Sequence, residues 1–373
     1  MKKISKLFLF GFVAVCLVVV LIVGISRGGK KNVRIAFNIP MSGPVAVITG
    51  CYPEAFKMGV EDESRKLEVP IDSFLFDIQD NQAKTEVAVS ACQKQMINGI
   101  DMMASGSSSQ SSALIPMVAP LKVPHFLVSF DAFMAEMDSN VVRILPHFKI
   151  EAPLYVQYAV RRKAKKIFAI NMNISAYEEQ YSRLITPALK DNGISIQRES
   201  IPADFNDFRT LASKVAMANA DLIFISTYSF QIQPILEAMN ERSLIKEGNV
   251  FATLDFLDLL PNKERYYDLY KSIAFACPVF ELENCSKSAK EWKDVWKTKF
   301  HTRPTYIGAY AYVTGQSVVR AYVKEEKITV NSIVRNFPED SIVGAIKVDA
   351  NNDLASTLVI GRIGDGGGVL EIR

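Results

Sequence analysis

Histidine is scarce in this chain, which has only His125, His147 and His301 among 373 residues. They share no spacing that is typical of a metal site, and none has an obvious catalytic partner. The cysteines form no CxxC pair and no group with histidine. The sequence therefore predicts neither an enzyme nor a metal site, and it indicates no cofactor.

Most of the chain also lacks an excess of positive charge. The net charge is +3, but residues 1–32 hold six basic side chains and no acidic ones, which leaves about −3 for the rest. A protein that binds nucleic acid needs a basic face that can neutralise phosphates. We therefore exclude nucleic acid as a partner.

A long apolar run occupies residues 7–25, which carry no charge and follow Lys2, Lys3 and Lys6. This length suits a crossing of about 30 Å of hydrocarbon. We expect residues 1–32 to be a hydrophobic helix plus linker, acting as a signal peptide or a membrane anchor. Cleavage after a small-residue pair, retention as an anchor and lipidation at Cys16 all stay open.

The same region contains GISRGGKK at residues 24–31, which is close to a phosphate-binding loop. Lys31 stands where that loop requires serine or threonine, and the segment follows an apolar run rather than a strand. We reject a nucleotide site here.

Four cysteines follow this leader: Cys51, Cys92, Cys277 and Cys285. An exported protein meets an oxidising compartment, and the short separation of Cys277 and Cys285 favours them as a disulfide pair. Buried free thiols are an equally good interpretation.

Beyond the leader, apolar runs of strand length alternate with amphipathic runs of helix length. This alternation is typical of βαβ units around parallel sheets. The predicted strands are 33–39, 74–78, 102–105, 125–129, 166–170, 221–226, 250–253 and 273–276. The predicted helices include 53–66, 84–98, 177–192, 208–218 and 234–241. A second series of strands begins near Arg143, so we expect two lobes.

At this point the chain resembles type I periplasmic binding proteins, in particular the leucine/isoleucine/valine receptors of ABC importers. The resemblance is collinear over nearly everything after residue 32. It is carried by Met41-Ser42-Gly43-Pro44-Val45-Ala46, Gly59, Asp77, Gly106 with its serines, Arg143 and Pro146, Lys165-Lys166-Ile167, Gly193, Asp204-Phe205, Asp207-Phe208, Asp221, Pro304, Tyr310 to Tyr312, and Gly344.

The resemblance implies two Rossmann-like α/β lobes with parallel sheets, joined by a multi-strand hinge. We expect residues 33–146 and 281–339 to form lobe I. Residues 147–280 and 340–373 would then form lobe II.

In lobe I the family binds a ligand carboxylate through hydroxyls and backbone NH groups. A serine-rich helix start gathers such donors, and Ser109, with Gln110 and Ser111, matches it. The alternative is that these serines only cap the helix and bind no ligand. The family's second turn reads Asp131-Ala132-Phe133 here, with Phe133 in place of threonine. An ionised Asp131 beside a ligand carboxylate would be unfavourable, so it points away or the ligand lacks that group. Ile48 is a predicted wall.

In lobe II the resemblance assigns Tyr177, Tyr228 and Asp255 to the ligand's ammonium group. A carboxylate with aromatic faces around it combines charge pairing with cation–π attraction. For each tyrosine the alternative is ordinary packing, and for Asp255 it is a loop cap.

The predicted function is an extracytoplasmic receptor, secreted or membrane-anchored, that closes by a hinge on an amino acid or related amine. It would deliver this small-molecule ligand to the transmembrane subunits of an ABC permease. Two alternatives remain: a membrane-anchored sensor that presents its closed form to a signalling partner, and an envelope scaffold.

Overall fold

The computed structural model describes residues 32–43, 45–325, 327–355 and 358–372. The predicted leader, with Cys16 and the predicted hydrophobic helix, lies outside these residues. Within them, no helix is both long enough and apolar enough to cross a bilayer.

The strands fall into two groups along the chain. They are β1 (Val33–Ile39), β2 (Phe74–Asp80), β3 (Met102–Gly106), β4 (His125–Val128), β5 (Val141–Val142), β6 (Lys166–Met172), β7 (Ser195–Ile201), β8 (Leu222–Ser226), β9 (Val250–Ala252), β10 (Ile273–Pro278), β11 (Leu358–Ile363) and β12 (Val369–Glu371). The first sheet has the order β2-β1-β3-β4-β5, and the second has the order β12-β11-β10-β9-β8-β6-β7. All pairs are parallel except β10–β11 and β11–β12.

Helices connect the strands and cover the sheets. They are α1 (Ala46–Thr49), α2 (Tyr52–Lys66), α3 (Thr85–Ile97), α4 (Ser108–Val118), α5 (Phe148–Arg161), α6 (Ser175–Glu179), α7 (Thr186–Asp191), α8 (Phe208–Ala218), α9 (Ser229–Asn240), α10 (Tyr267–Tyr270), α11 (Lys287–Phe300), α12 (Tyr306–Lys324) and α13 (Val330–Val334). A π-helical turn, Gln180–Ile185, joins α6 to α7, and a 3₁₀ segment, Leu254–Asn262, follows β9.

The central strands are mostly apolar because both faces of each sheet are covered. Every residue of β3, β8 and β10 is buried. Edge strand β7 differs, since its sequence SIQRESI is only partly buried. The core therefore lies between each sheet and the helices that cover it. The ends of the strands remain free to carry polar groups.

The chain returns to both sheets after its first pass. Helix α12 packs along α2 beside the first sheet. Strand β11 then pairs with β10 in the second sheet, and Arg143 forms an isolated bridge with Asp353 between the two regions. The two sheets are thus connected at several points of the sequence.

Close contact between α2 and α12 depends on glycine. A Cβ at Gly59 would overlap the carbonyl oxygen of Tyr312, and one at Gly315 would overlap that of Phe56. At Gly308 of the same α12, an added Cβ would make ordinary contacts at 3.6 Å. Backbone therefore meets backbone at the first two positions only.

We expect Gly59→Ala to destabilise the protein by about 1–3 kcal/mol, because a methyl group must push two helices apart. Gly308→Ala is the matched control and should be neutral or slightly stabilising, since alanine favours a helix. Urea unfolding of the two variants measures the difference. Equal effects would contradict the proposed contact.

All four described cysteines are free thiols. The Cys277 thiol lies against the carbonyl of Pro278 at 3.3 Å, and Lys293 approaches the Cys285 sulfur at 3.4 Å. Of the two interpretations that the sequence left open, the structure has the free thiols and not the Cys277–Cys285 disulfide.

Candidate functional site

The candidate site residues follow the carboxyl ends of parallel strands in both sheets. In such sheets these ends are where ligands bind, because loops and helix starts gather there. The serines of α4 follow β3, and Asp131 follows β4. Tyr177, Tyr228 and Asp255 follow β6, β8 and β9.

On the first sheet's side, the start of α4 borders a cavity of about 440 Å³. It is lined by Ser108, Ser109, Ser112, Asp131, Phe133, Met134, Met137, Ser175 and Glu179. Ser109 is exposed, and the Ser108 hydroxyl is hydrogen-bonded to that of Ser129 at 2.8 Å. The predicted serine Ser109 thus faces open space beside Asp131.

Three other predicted side chains are engaged inside the fold. Gln110 donates to the carbonyl of Ala83 at 2.8 Å, and Ser111 accepts from Ser105 at 2.8 Å. Ile48 is 6% exposed and belongs to the apolar core. We therefore do not include Gln110, Ser111 or Ile48 in the proposed ligand site.

The loop after β4 is held in a fixed turn. The Asp131 carboxylate accepts from the backbone NH of Phe133 at 3.1 Å, as in an Asx turn. Ala132 is buried against the second sheet's side, together with Tyr177. The Phe133 ring lies 3.4 Å beneath the guanidinium carbon of Arg183, from the π-helical turn. This loop therefore contacts the opposite half of the molecule.

Arg143 holds the loop after β4 through hydrogen bonds to its backbone. Its buried guanidinium donates to the backbone carbonyls of Ser129, Asp131 and Ala132. It also forms two bonds to the Asp353 carboxylate, at 2.8 and 2.6 Å. One buried cation thus ties the loop to the segment that leads into β11.

Tyr177, Tyr228 and Asp255 lie together. The Tyr177 hydroxyl donates to Asp255 Oδ2 at 3.0 Å, and its ring is 6.2 Å from the Tyr228 ring. Tyr177 also stacks on Phe148, with ring centroids 4.6 Å apart. Tyr177 is fully buried, and Asp255 is 6% exposed. The three residues predicted for the ammonium therefore form one carboxylate–aromatic cluster.

Asp255 has an unfavourable environment for a negative charge. Burial raises its pKa well above the usual range, and the nearby carboxylates Asp258 and Glu151 raise it further, while the Tyr177 hydrogen bond acts in the opposite direction. In the described part of the chain, no cationic side chain forms a salt bridge with Asp255. A ligand cation would remove this cost.

Sequence reasoning missed the neighbours of Asp255. Burial raises the pKa of Glu151 to about 7, although its carboxylate accepts from the backbone NH of Leu254 at 2.8 Å. Burial likewise raises the pKa of Asp258 to about 6. Asp258 stands three residues after Asp255, a spacing that signals one face only if the segment is 3₁₀.

Grouped acids, thiols and imidazoles would indicate a metal site. Within residues 32–43, 45–325, 327–355 and 358–372, no three of these side chains are arranged to hold a metal ion.

Comparison with known proteins gives the same architecture. A family model for periplasmic binding proteins matches residues 32–367. A leucine-binding protein from Thermotoga maritima superposes with a TM-score of 0.73 at 19% identity, covering 91% of this chain and 98% of that one. A leucine-, isoleucine-, valine-, threonine- and alanine-binding protein from Brucella ovis, in a closed conformation, gives 0.78 at 16% identity, with 92% and 95% covered.

A third solved structure shows a different ligand on the same fold. It is the solute-binding protein of an ABC transporter from Rhodopseudomonas palustris in complex with 3,4-dihydroxybenzoic acid, with a TM-score of 0.75, 17% identity, and 91% and 95% covered. No curated protein sequence matches this chain. The predicted two-lobed α/β fold and the absence of enzymatic function are confirmed by the family.

Proposed function

Because this chain belongs to the periplasmic binding protein family, we propose that it is an extracytoplasmic receptor for an amino acid or related amine. The observation that carries this proposal is the buried carboxylate of Asp255, which accepts a hydrogen bond from a tyrosine hydroxyl but has no cationic partner among the residues that the structure describes. A ligand ammonium would supply that charge.

The aromatic rings support the same ligand class. Tyr177 donates its hydroxyl to the carboxylate, and its ring packs against those of Tyr228 and Phe148. Such rings attract a cation that has been removed from water, and they exclude water from its ion pair. An aromatic acid such as 3,4-dihydroxybenzoate carries no amine for Asp255, so we place it outside the ligand class of this protein.

Closure between the lobes is part of the proposal. Lobe I would consist of residues 33–146 and 281–339, and lobe II of residues 147–280 and 340–373. Loop 129–133 in the first lobe and the Tyr177 cluster in the second would approach the ligand from two sides. The ligand would stabilise the closed state by its differential affinity for it, and an ABC permease would then receive the ligand.

A thermal-shift screen tests the proposed function. We expect an amine to raise the melting temperature, since a ligand that binds only the folded state stabilises it by RT ln(1 + [L]/Kd). Amino acids, primary amines and simple carboxylates are screened in parallel. A response to carboxylates alone would overturn the proposal.

A further inference from the structure

The 3₁₀ segment Leu254–Asn262 places two carboxylates on one face. Residues i and i+3 of a 3₁₀ helix are eclipsed, so Asp255 and Asp258 project in the same direction. Their charges interact, and burial with this repulsion raises the pKa of Asp255. A single site therefore presents two acids rather than one.

The described residues do not balance this charge. Arg303 is the cation that acts on Asp258, but its guanidinium is bonded to Glu281 at 2.7 Å, and the Glu281 side chain is 5% exposed. Arg303 is thus paired mainly with Glu281 rather than with Asp258. The negative charge of Asp255 and Asp258 is therefore only partly neutralised by cationic side chains.

An independent polar group faces the same place from α12. Tyr306 is 5% exposed, and its hydroxyl makes no hydrogen bond to the described residues. After burial, the charges of Asp258 and Asp255 are the largest causes that raise its pKa, which places the phenol within electrostatic reach of both. A hydroxyl that makes no hydrogen bond to the described residues and lies near two acids is open to a ligand donor.

The opposite side of the site is also acidic. The cavity at the start of α4 is lined by the carboxylates of Asp131 and Glu179, and its lining includes no lysine or arginine. Arg183 is nearby, but it stacks on Phe133 and lies 3.5 Å from Glu179. A ligand carboxylate that entered this cavity would meet Asp131 without an opposing cation.

We propose that the ligand is an organic dication without a free carboxylate, of the α,ω-diamine class. One ammonium group binds at Asp255 and Asp258, and the other faces Asp131. This inference rests on the proposed function, and it names the ligand class of the same site.

The proposal is tested by calorimetry with three probes of similar length. They are 1,5-diaminopentane, n-pentylamine, which has one charge, and lysine, which adds a carboxylate to the diamine. We expect the diamine to bind at least tenfold more tightly than either of the others. Asp258→Asn should weaken the diamine and pentylamine alike, whereas Asp131→Asn should reduce the advantage of the diamine over both other probes. Asp268→Asn, at an exposed carboxylate, is the control and should change neither.

The outcomes separate the two proposals. If pentylamine binds as tightly as the diamine, or lysine binds more tightly, the dication is ruled out while the amine receptor stands. If none of the three amines binds, the dication is ruled out, and the thermal-shift screen alone decides the amine receptor. If Asp258→Asn leaves both amine affinities unchanged and Asp131→Asn leaves the advantage of the diamine unchanged, the assigned carboxylates are wrong.

Discussion

We expect Asp255→Asn to weaken binding of an amine ligand by about 2–5 kcal/mol and, at the same time, to stabilise the ligand-free protein. The first effect is the usual scale for removing one partner of a desolvated charge pair. The second follows because burial and the neighbouring acids make the Asp255 charge costly, as its raised pKa indicates. Asparagine keeps an oxygen that can accept from Tyr177.

Calorimetry and urea unfolding at neutral pH measure the two effects on the same variant. Asp268→Asn is the control, since the Asp268 side chain is 91% exposed and should affect neither quantity. If Asp255 were only a loop cap, its replacement would lower stability and leave affinity unchanged. That combination would remove Asp255 from the binding site.

The second large effect concerns the buried pair of Arg143 and Asp353. We expect Asp353→Ala to destabilise the protein by about 3–5 kcal/mol, because it leaves a buried guanidinium without its counterion. Burial already raises the pKa of Asp353 although Arg143 acts to lower it, which shows how strongly the site is desolvated. The neutral His147 beside it cannot replace the carboxylate.

The test compares single and double variants by urea unfolding. Arg143→Met with Asp353→Leu should recover part of the loss, since an apolar pair leaves no buried charge. Lys271→Ala breaks an exposed pair at 2.7 Å and should cost less than about 1 kcal/mol. A loss for Asp353→Ala no larger than this would mean that the pair does not hold the loop.

Patterns in the sequence predict most of the strands because central strands of parallel sheets are continuously apolar. β1 and α8 begin and end at the predicted residues. Edge strand β7 carries polar residues on its open face, so its pattern resembles that of a loop. Helix α5 is missed as well, since Pro153 interrupts its pattern.

The site could be predicted only in part, for a related reason. Tyr177, Tyr228 and Asp255 were found through the family resemblance, and the structure places them together. Glu151 and Tyr306 come from other segments and approach Asp255 only after the chain has folded, while Asp258 shares its face only because the segment is a 3₁₀ helix. The sequence also does not determine where the side chains of Gln110 and Ser111 point, since both directions suit a helix start.

The late pairing of β11 with β10 has a consequence for how this protein assembles. During synthesis, the edge of β10 stays open until residues 358–363 emerge, and the Arg143 counterion at Asp353 arrives almost as late. Contacts between such distant residues must close large loops, which slows folding. Maturation of the second sheet should therefore be the slowest step, and shortening the chain before Leu358 should leave a strand edge that self-associates.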